Sequence, residues 1–167
     1  LLWWQLPTMH AMASHIGKSL RDHIQERGDI DGVDFRAHFI FGGQIKGQQP
    51  ELFHIYPEGN FIAATKETPY FQIGESKYGK PILDRIIRFD TDLNTATRCA
   101  LISMDSTIRS NLSVDLPLDL LCYQNDSLSM ENHHDINEQH AGFQQLRSSW
   151  AESIQRTFFT LPNTEFI

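Results

Sequence analysis

Three short stretches concentrate the side chains able to do chemistry. The first, MDSTIRSNLSVDLP, runs from Met104 to Pro117 and gathers Asp105, Ser106, Thr107, Arg109, Ser110, Asn111 and Ser113 within nine positions. Hydroxyls beside a carboxylate and a guanidinium are materials for acid–base and nucleophilic work. The same residues also suit a plain helix C-terminus, with Arg109 complementing the helix dipole and small polar groups satisfying the last carbonyls. Density alone leaves both readings open. The second stretch, IGESKYGKP, sets Glu75, Ser76 and Lys77 at a strand-to-helix junction. Such junctions often host sites, because helix N-termini stabilise anions. The third, ENHHDINEQH, holds Glu131, His133, His134, Asp135, Glu138 and His140. These are donors a zinc-like ion would accept. Adjacent histidines on a strand point to opposite faces, however, and the segment is the most polar in the chain. It reads as a solvated loop or edge, and no metal site is assigned.

Those stretches need elements to carry them. Met9, Met12, Ile16, Leu20 and Ile24 recur at helical steps, so a helix is expected from Thr8, its cap, to Gly28. His10, His15 and His23 lie along it without the i, i+4 spacing of a helical zinc site. Alternation predicts strands at Phe35–Phe41, Leu52–Tyr56, Phe61–Ala64 and Tyr70–Ile73, an antiparallel meander with tight turns. Gly42 and Gly43 allow a bulge or a close backbone approach. GGQIKG joins two strands and lacks the phosphate-loop pattern. The period then changes. A short helix is expected over Tyr78–Ile87, burying Ile82, Leu83, Ile86 and Ile87. A longer helix, capped by Thr91 or Asp92, follows from Leu93 to about Arg109, with Leu93, Ala96, Ala100, Met104 and Ile108 as its apolar positions. Strands at Leu118–Tyr123 and Leu128–Ile136 follow, the second a ragged edge. A last helix, Ala141–Phe159, carries a stripe of Phe143, Leu146, Trp150, Ile154 and Phe158. Helices do not alternate strictly with strands, so the class is α+β, antiparallel sheet covered by helix layers.

A formal net charge of -7 over 167 residues argues against a nucleic-acid face and against binding to an anionic membrane surface. No apolar run approaches the ~20 residues needed to span a bilayer. The two cysteines, Cys99 and Cys122, sit in apolar runs with no CxxC pairing. They read as small buried thiols in a reducing, cytoplasmic protein. The opening LLWWQLP has no basic start and is too short for a signal peptide. It reads like the interior of a fold, so residues preceding Leu1 are expected.

FIFGGQI, LFHIYPEGNFI, FQIGESKYGKPILDR and CALISMDSTIRSNLSVDLPLDLLCY resemble Anbu, the ancestral beta subunit, a bacterial proteasome-type protease family related to proteasome beta subunits. The resemblance covers most of the chain from about Met9. It implies a four-layer αββα N-terminal nucleophile hydrolase sandwich, two antiparallel sheets between helical layers. It also implies a chemistry: an N-terminal Thr hydroxyl attacks a peptide carbonyl, and its own amine acts as base. A nearby Lys and Asp tune the pair, and backbone N–H groups hold the oxyanion.

This sequence departs from that pattern, since residue 1 is Leu and Thr8 is a helix cap. The resemblance thus implies one proteasome-beta-like domain over residues 1–167, lacking its N-terminal strands, the nucleophile and its Asp and Lys partners. Supporting positions carry over: Asp105 and Ser110 after the long helix, with Ser106 competing for the serine, and Ser76 beside Glu75 after the meander. No cofactor is implied. The implied partners are a peptide or unfolded protein substrate and further copies in a homo-oligomer, with no nucleic acid and no membrane. The Phe41–Thr65 hairpin is implied as scaffold. A non-catalytic assembly subunit, or inactive fragment of the same fold, is the alternative.

Overall fold

The computed structural model describes residues 5–27 and 34–166. The chain forms two compact units, the first 1–74 with 87–91 and 123–131, the second 75–86 with 92–122 and 132–167. The opening Leu1–Trp4 and the expected stop at Gly28 lie outside the described residues.

The first unit packs one helix on a small sheet. Helix α1 (Met9–Arg27) begins where Thr8 Oγ1 accepts from the Ala11 amide at 3.1 Å, the expected cap. It packs on strands β2 (Glu51–Ile55) and β3 (Phe61–Ala63), with β1 (Phe39–Gly43) beyond β2. All pairs are antiparallel, with Phe39 opposite Ile55, Phe41 opposite Phe53, and Phe53 opposite Ala63. Met9, Met12 and Ala13 of α1 enclose Phe53 and Ile55, with Ile16, Leu20, Phe41 and Phe61 packed around them. The period-3.6 stripe and the period-2 stripe therefore meet as the sequence requires.

The YPEGN turn closes directly on the helix. Gly59 has φ +86°, and a side chain at Gly17 of α1 would run into the Gly59 carbonyl. Only a glycine pair lets these two backbones touch.

Three expectations are revised here. Strand β1 starts at Phe39 rather than Phe35, because β2 ends at Ile55 and Tyr56 is already hydrogen-bonded to Asn60 within the turn. Residues 34–38 have no strand left to pair with, and Arg36 folds onto Asp34 instead. Gly42 and Gly43 pair regularly with Leu52 and Glu51, so they extend the strand and form no bulge. Tyr70–Ile73 joins no ladder among the described residues, so the meander has three strands. A local turn, Thr65 to Thr68, carries the chain away from β3 first.

The second unit holds α2 (Lys80–Ile86), α3 (Leu93–Ser110), β4 (Leu118–Leu121), β5 (His133–Ile136) and α4 (Ala141–Phe158). Asp92 rather than Thr91 caps α3, its carboxylate accepting from the Thr95 amide at 3.0 Å. Helix α3 packs against both α2 and α4. Its buried side chains are Cys99, Ser103, Asp105 and Thr107, so the expected apolar stripe is not the sealed one. Leu93 is exposed, as are Ile86 on α2 and Ile154 and Phe158 on α4. The sealing of the small polar face is explained at Gly79, just before α2. A Cβ there would strike Ser103 Oγ and sit 2.9 Å from the Ser103 carbonyl oxygen. The two segments approach so closely that only small residues fit between them. The Cys99–Ser103–Thr107 row, at four-residue steps, supplies that narrow face. Strands β4 and β5 are antiparallel and shorter than expected. With both sheets antiparallel, the chain is α+β.

Candidate functional site

The strongest geometry in the second unit surrounds Asp105. Its side chain is 2% exposed, and a carboxylate so buried must be paired or pay several kcal/mol. Two arginines meet that need. Arg109, one turn on along α3, donates from Nε to Oδ2 at 3.1 Å. Arg147, reaching over from α4, donates from Nε to Oδ1 at 2.5 Å. The arginines differ in setting: Arg109 is 56% exposed and Arg147 22%.

Helix α4 is built to deliver Arg147. His140 caps it, Nδ1 accepting from the Phe143 amide at 3.1 Å. Phe143 is fully buried, and the Arg147 guanidinium lies 5.4 Å from its ring centroid, in cation–π range. Phe143 and Arg147 are one turn apart, so one helix face supplies both the apolar plug and the cation. An ionised carboxylate has about four lone-pair directions, so Asp105 keeps acceptor capacity beyond its two arginine bonds.

The segment before α2, expected as a strand-to-helix junction but with no strand preceding it, also meets the end of α3. Glu75 Oε2 accepts from Asn111 Nδ2 at 2.9 Å, and its Oε1 accepts from the Lys77 amide at 2.9 Å. Ser76 is half-buried, and its carbonyl accepts from the Lys80 amide at 3.0 Å, opening α2. Ser110 is exposed, while Ser106 is half-buried. On a helix Ser110 lies about 140° round from Asp105, so the two do not share a face. The structure thus ties Glu75 to Asn111 and Asp105 to two arginines. Arg147 escaped the sequence reading. Its one sequence signal is a cation placed a turn after Phe143 inside an otherwise apolar stripe.

The histidine-rich stretch resolves differently. His133 faces Leu121 and His134 faces Leu120 across the β4–β5 ladder, which puts the two rings on opposite sides as expected. His133 Nε2 lies 3.2 Å from Asp119 Oδ1, and Asp135 is directly opposite Asp119. One ligand atom from each of these three exposed residues lies within 4.8 Å of the others. Of the six candidate donors only His133 and Asp135 come together, and their partner Asp119 came from outside the segment.

Other titratable groups stand apart from this chemistry. On the first unit's sheet, His54 Nε2 is 3.0 Å from His38 Nδ1. Burial first, and the neighbouring His38 second, push the His54 imidazole below its ordinary value. Burial pushes the Cys99 thiol up, which keeps it an inert packing residue. Among the described residues no helix is long and apolar enough to cross a membrane.

No family model matches the chain, and no curated protein matches it. Solved structures do. Anbu (ancestral beta-subunit) from Yersinia bercovieri is 48% identical with a TM-score of 0.92, over 98% of this chain and 68% of that one. A Gly-1 mutant of Anbu from Hyphomicrobium sp. strain MC1 is 42% identical with a TM-score of 0.92, over 99% of this chain and 69% of that one. The Anbu complex from Pseudomonas aeruginosa, described as a helical assembly, is 44% identical with a TM-score of 0.91, over 97% of this chain and 68% of that one. Identity at this level along nearly the whole chain is too high for a shared fold alone: the chain belongs to the Anbu family, the ancestral beta-subunit of the proteasome-like proteins.

Proposed function

We propose that this chain is the larger part of a proteasome-type peptidase subunit with the four-layer αββα sandwich. It hydrolyses peptide bonds with a threonine nucleophile carried outside these 167 residues. The observation that carries the reading is the buried Asp105 carboxylate at the end of α3, held in place by Arg109 and Arg147. In this reading the threonine hydroxyl attacks the peptide carbonyl and its amine takes the proton. A fixed carboxylate beside that amine orients it and stabilises the ammonium as it forms. Ser110 or Ser106 assists from the same helix end, and Ser76 from the junction that Glu75 ties to Asn111. Roughly a third of each relative's length has no counterpart here, which leaves room for the strands that bear the nucleophile. Peptides or unfolded proteins are the substrate, copies of the same subunit the partners, and the cytoplasm the setting. The helical assembly of the Pseudomonas relative supports self-association.

A second reading, a non-catalytic assembly subunit, is favoured by one fact: both Asp105 oxygens are already engaged by arginines. Intact mass and N-terminal sequencing of the purified gene product separate the two. A first residue of Thr, with fluorogenic-peptide cleavage abolished by Thr→Ala there, supports the peptidase. A mature chain without a terminal Thr, cleaving nothing, supports the assembly subunit.

A further inference from the structure

A carboxylate that orients an amine must have its own plane fixed, because a lone pair aimed 1 Å astray can cost about a hundredfold in rate. Asp105 is held by one partner on each oxygen, but the partners are not equivalent. Arg109 shares α3 with Asp105 and is more than half in water, where a charge pair is weak and readily exchanged. Arg147 arrives from a different helix, 42 residues away in sequence, and is mostly shielded from solvent. It lies over the ring of Phe143, a residue 1% exposed. Its aim is therefore set by packing, and Asp105 inherits that aim.

We infer that Arg147 is a positioning residue for the threonine-type reaction, fixing the Asp105 carboxylate from α4, with Arg109 the weaker of its two holds. The inference rests on the peptidase reading above. It makes α4 part of the site through Arg147, which acts on Asp105. The single Nε–H bond is directional: it sets the carboxylate plane in a way that a bare positive charge does not.

The test measures kcat and KM on a fluorogenic peptide with the complete gene product. It uses Arg147→Gln, Arg147→Lys and Arg109→Gln, each checked by circular dichroism to be folded at the assay temperature. Arg147→Gln is expected to lower kcat about tenfold, leaving KM within about twofold, a loss of roughly 1.4 kcal/mol in transition-state stabilisation. Arg109→Gln, which removes the more solvated of the two holds, is expected to lower kcat by a smaller factor, about threefold. Arg147→Lys keeps the charge and guards against a Gln variant that fails to fold. It is expected to fold like the parent yet remain several-fold slow. Equal losses from the two Gln variants, full recovery with Lys, or an unchanged kcat in Arg147→Gln would each overturn the inference. A parent that cleaves no peptide defeats the peptidase reading and this role together. A parent that cleaves, with Arg147→Gln equal to it, defeats only the role.

Discussion

Phe53 and Asp105 are both sealed from solvent, at 0% and 2% exposure, one in each compact unit, and their surroundings have little in common. Phe53 sits among methionines and aromatic rings, edge-on to Phe61 at 5.6 Å and stacked on Phe41 at 6.4 Å. Dispersion and water exclusion hold it, and neither is strongly directional. Asp105 lies on α3 on a different face from the buried Ser103 and Thr107, and is held by two hydrogen-bonded ion pairs. Thr107 in turn donates to the Ser103 carbonyl at 2.9 Å. A dry core needs volume, whereas a polar core needs every partner at the right angle, since an unpaired group in it is costly. The first unit is therefore suited to scaffold, the second to geometry.

That contrast is most sharply broken at Asp105. Asp105→Ala leaves the shielded Arg147 cation without its partner, and urea unfolding should show a loss of about 3–5 kcal/mol. Replacing Asp105 and Arg147 together by apolar residues of similar volume should recover most of it. In the dry core, Ile55→Val should cost only about 0.5–1.5 kcal/mol. Equal losses from Asp105→Ala and Ile55→Val would erase the distinction between the two interiors.

A smaller effect marks where the dry unit does become geometric. Gly17→Ala would push a methyl group into the Gly59 carbonyl, and neither backbone can step aside. The better helix propensity of Ala offsets less than the clash, so a net loss of about 1–3 kcal/mol is expected in thermal or urea unfolding.

The smallest effect concerns pH. The folded His54 imidazole is held below its ordinary 6.5, first by burial and then by His38. As pH falls below that value, the unfolded chain takes up the proton before the folded one does. Stability from this group is therefore full above 6.5 and is lost as pH falls through the folded value. Urea midpoints should drop modestly on acidification from pH 7.5 to 5.5, and His54→Gln should flatten that drop. A midpoint rising over that range would contradict the sign.

The sequence by itself determined the elements whose rules are local. Thr8 and a stripe at three- and four-residue steps placed α1, and alternation placed β2 and β3 within about a residue. The family was legible because the run from Cys99 to Tyr123 and the stretch around Glu75–Pro81 are long and specific. Tertiary structure alone decided the rest. Tyr70–Ile73 has a strand's alternation, but a strand exists only where another backbone offers hydrogen bonds. Helix α3 has an apolar stripe, but its sealed face is Cys99, Ser103 and Thr107, because Gly79 comes too close for anything larger. Asp119 joins His133 through the β4–β5 register, and Arg147 joins Asp105 across 42 residues. Periodicity reads neighbours three or four places away on a helix and two on a strand. Which face meets which, and which charge finds which, is settled only when the elements pack.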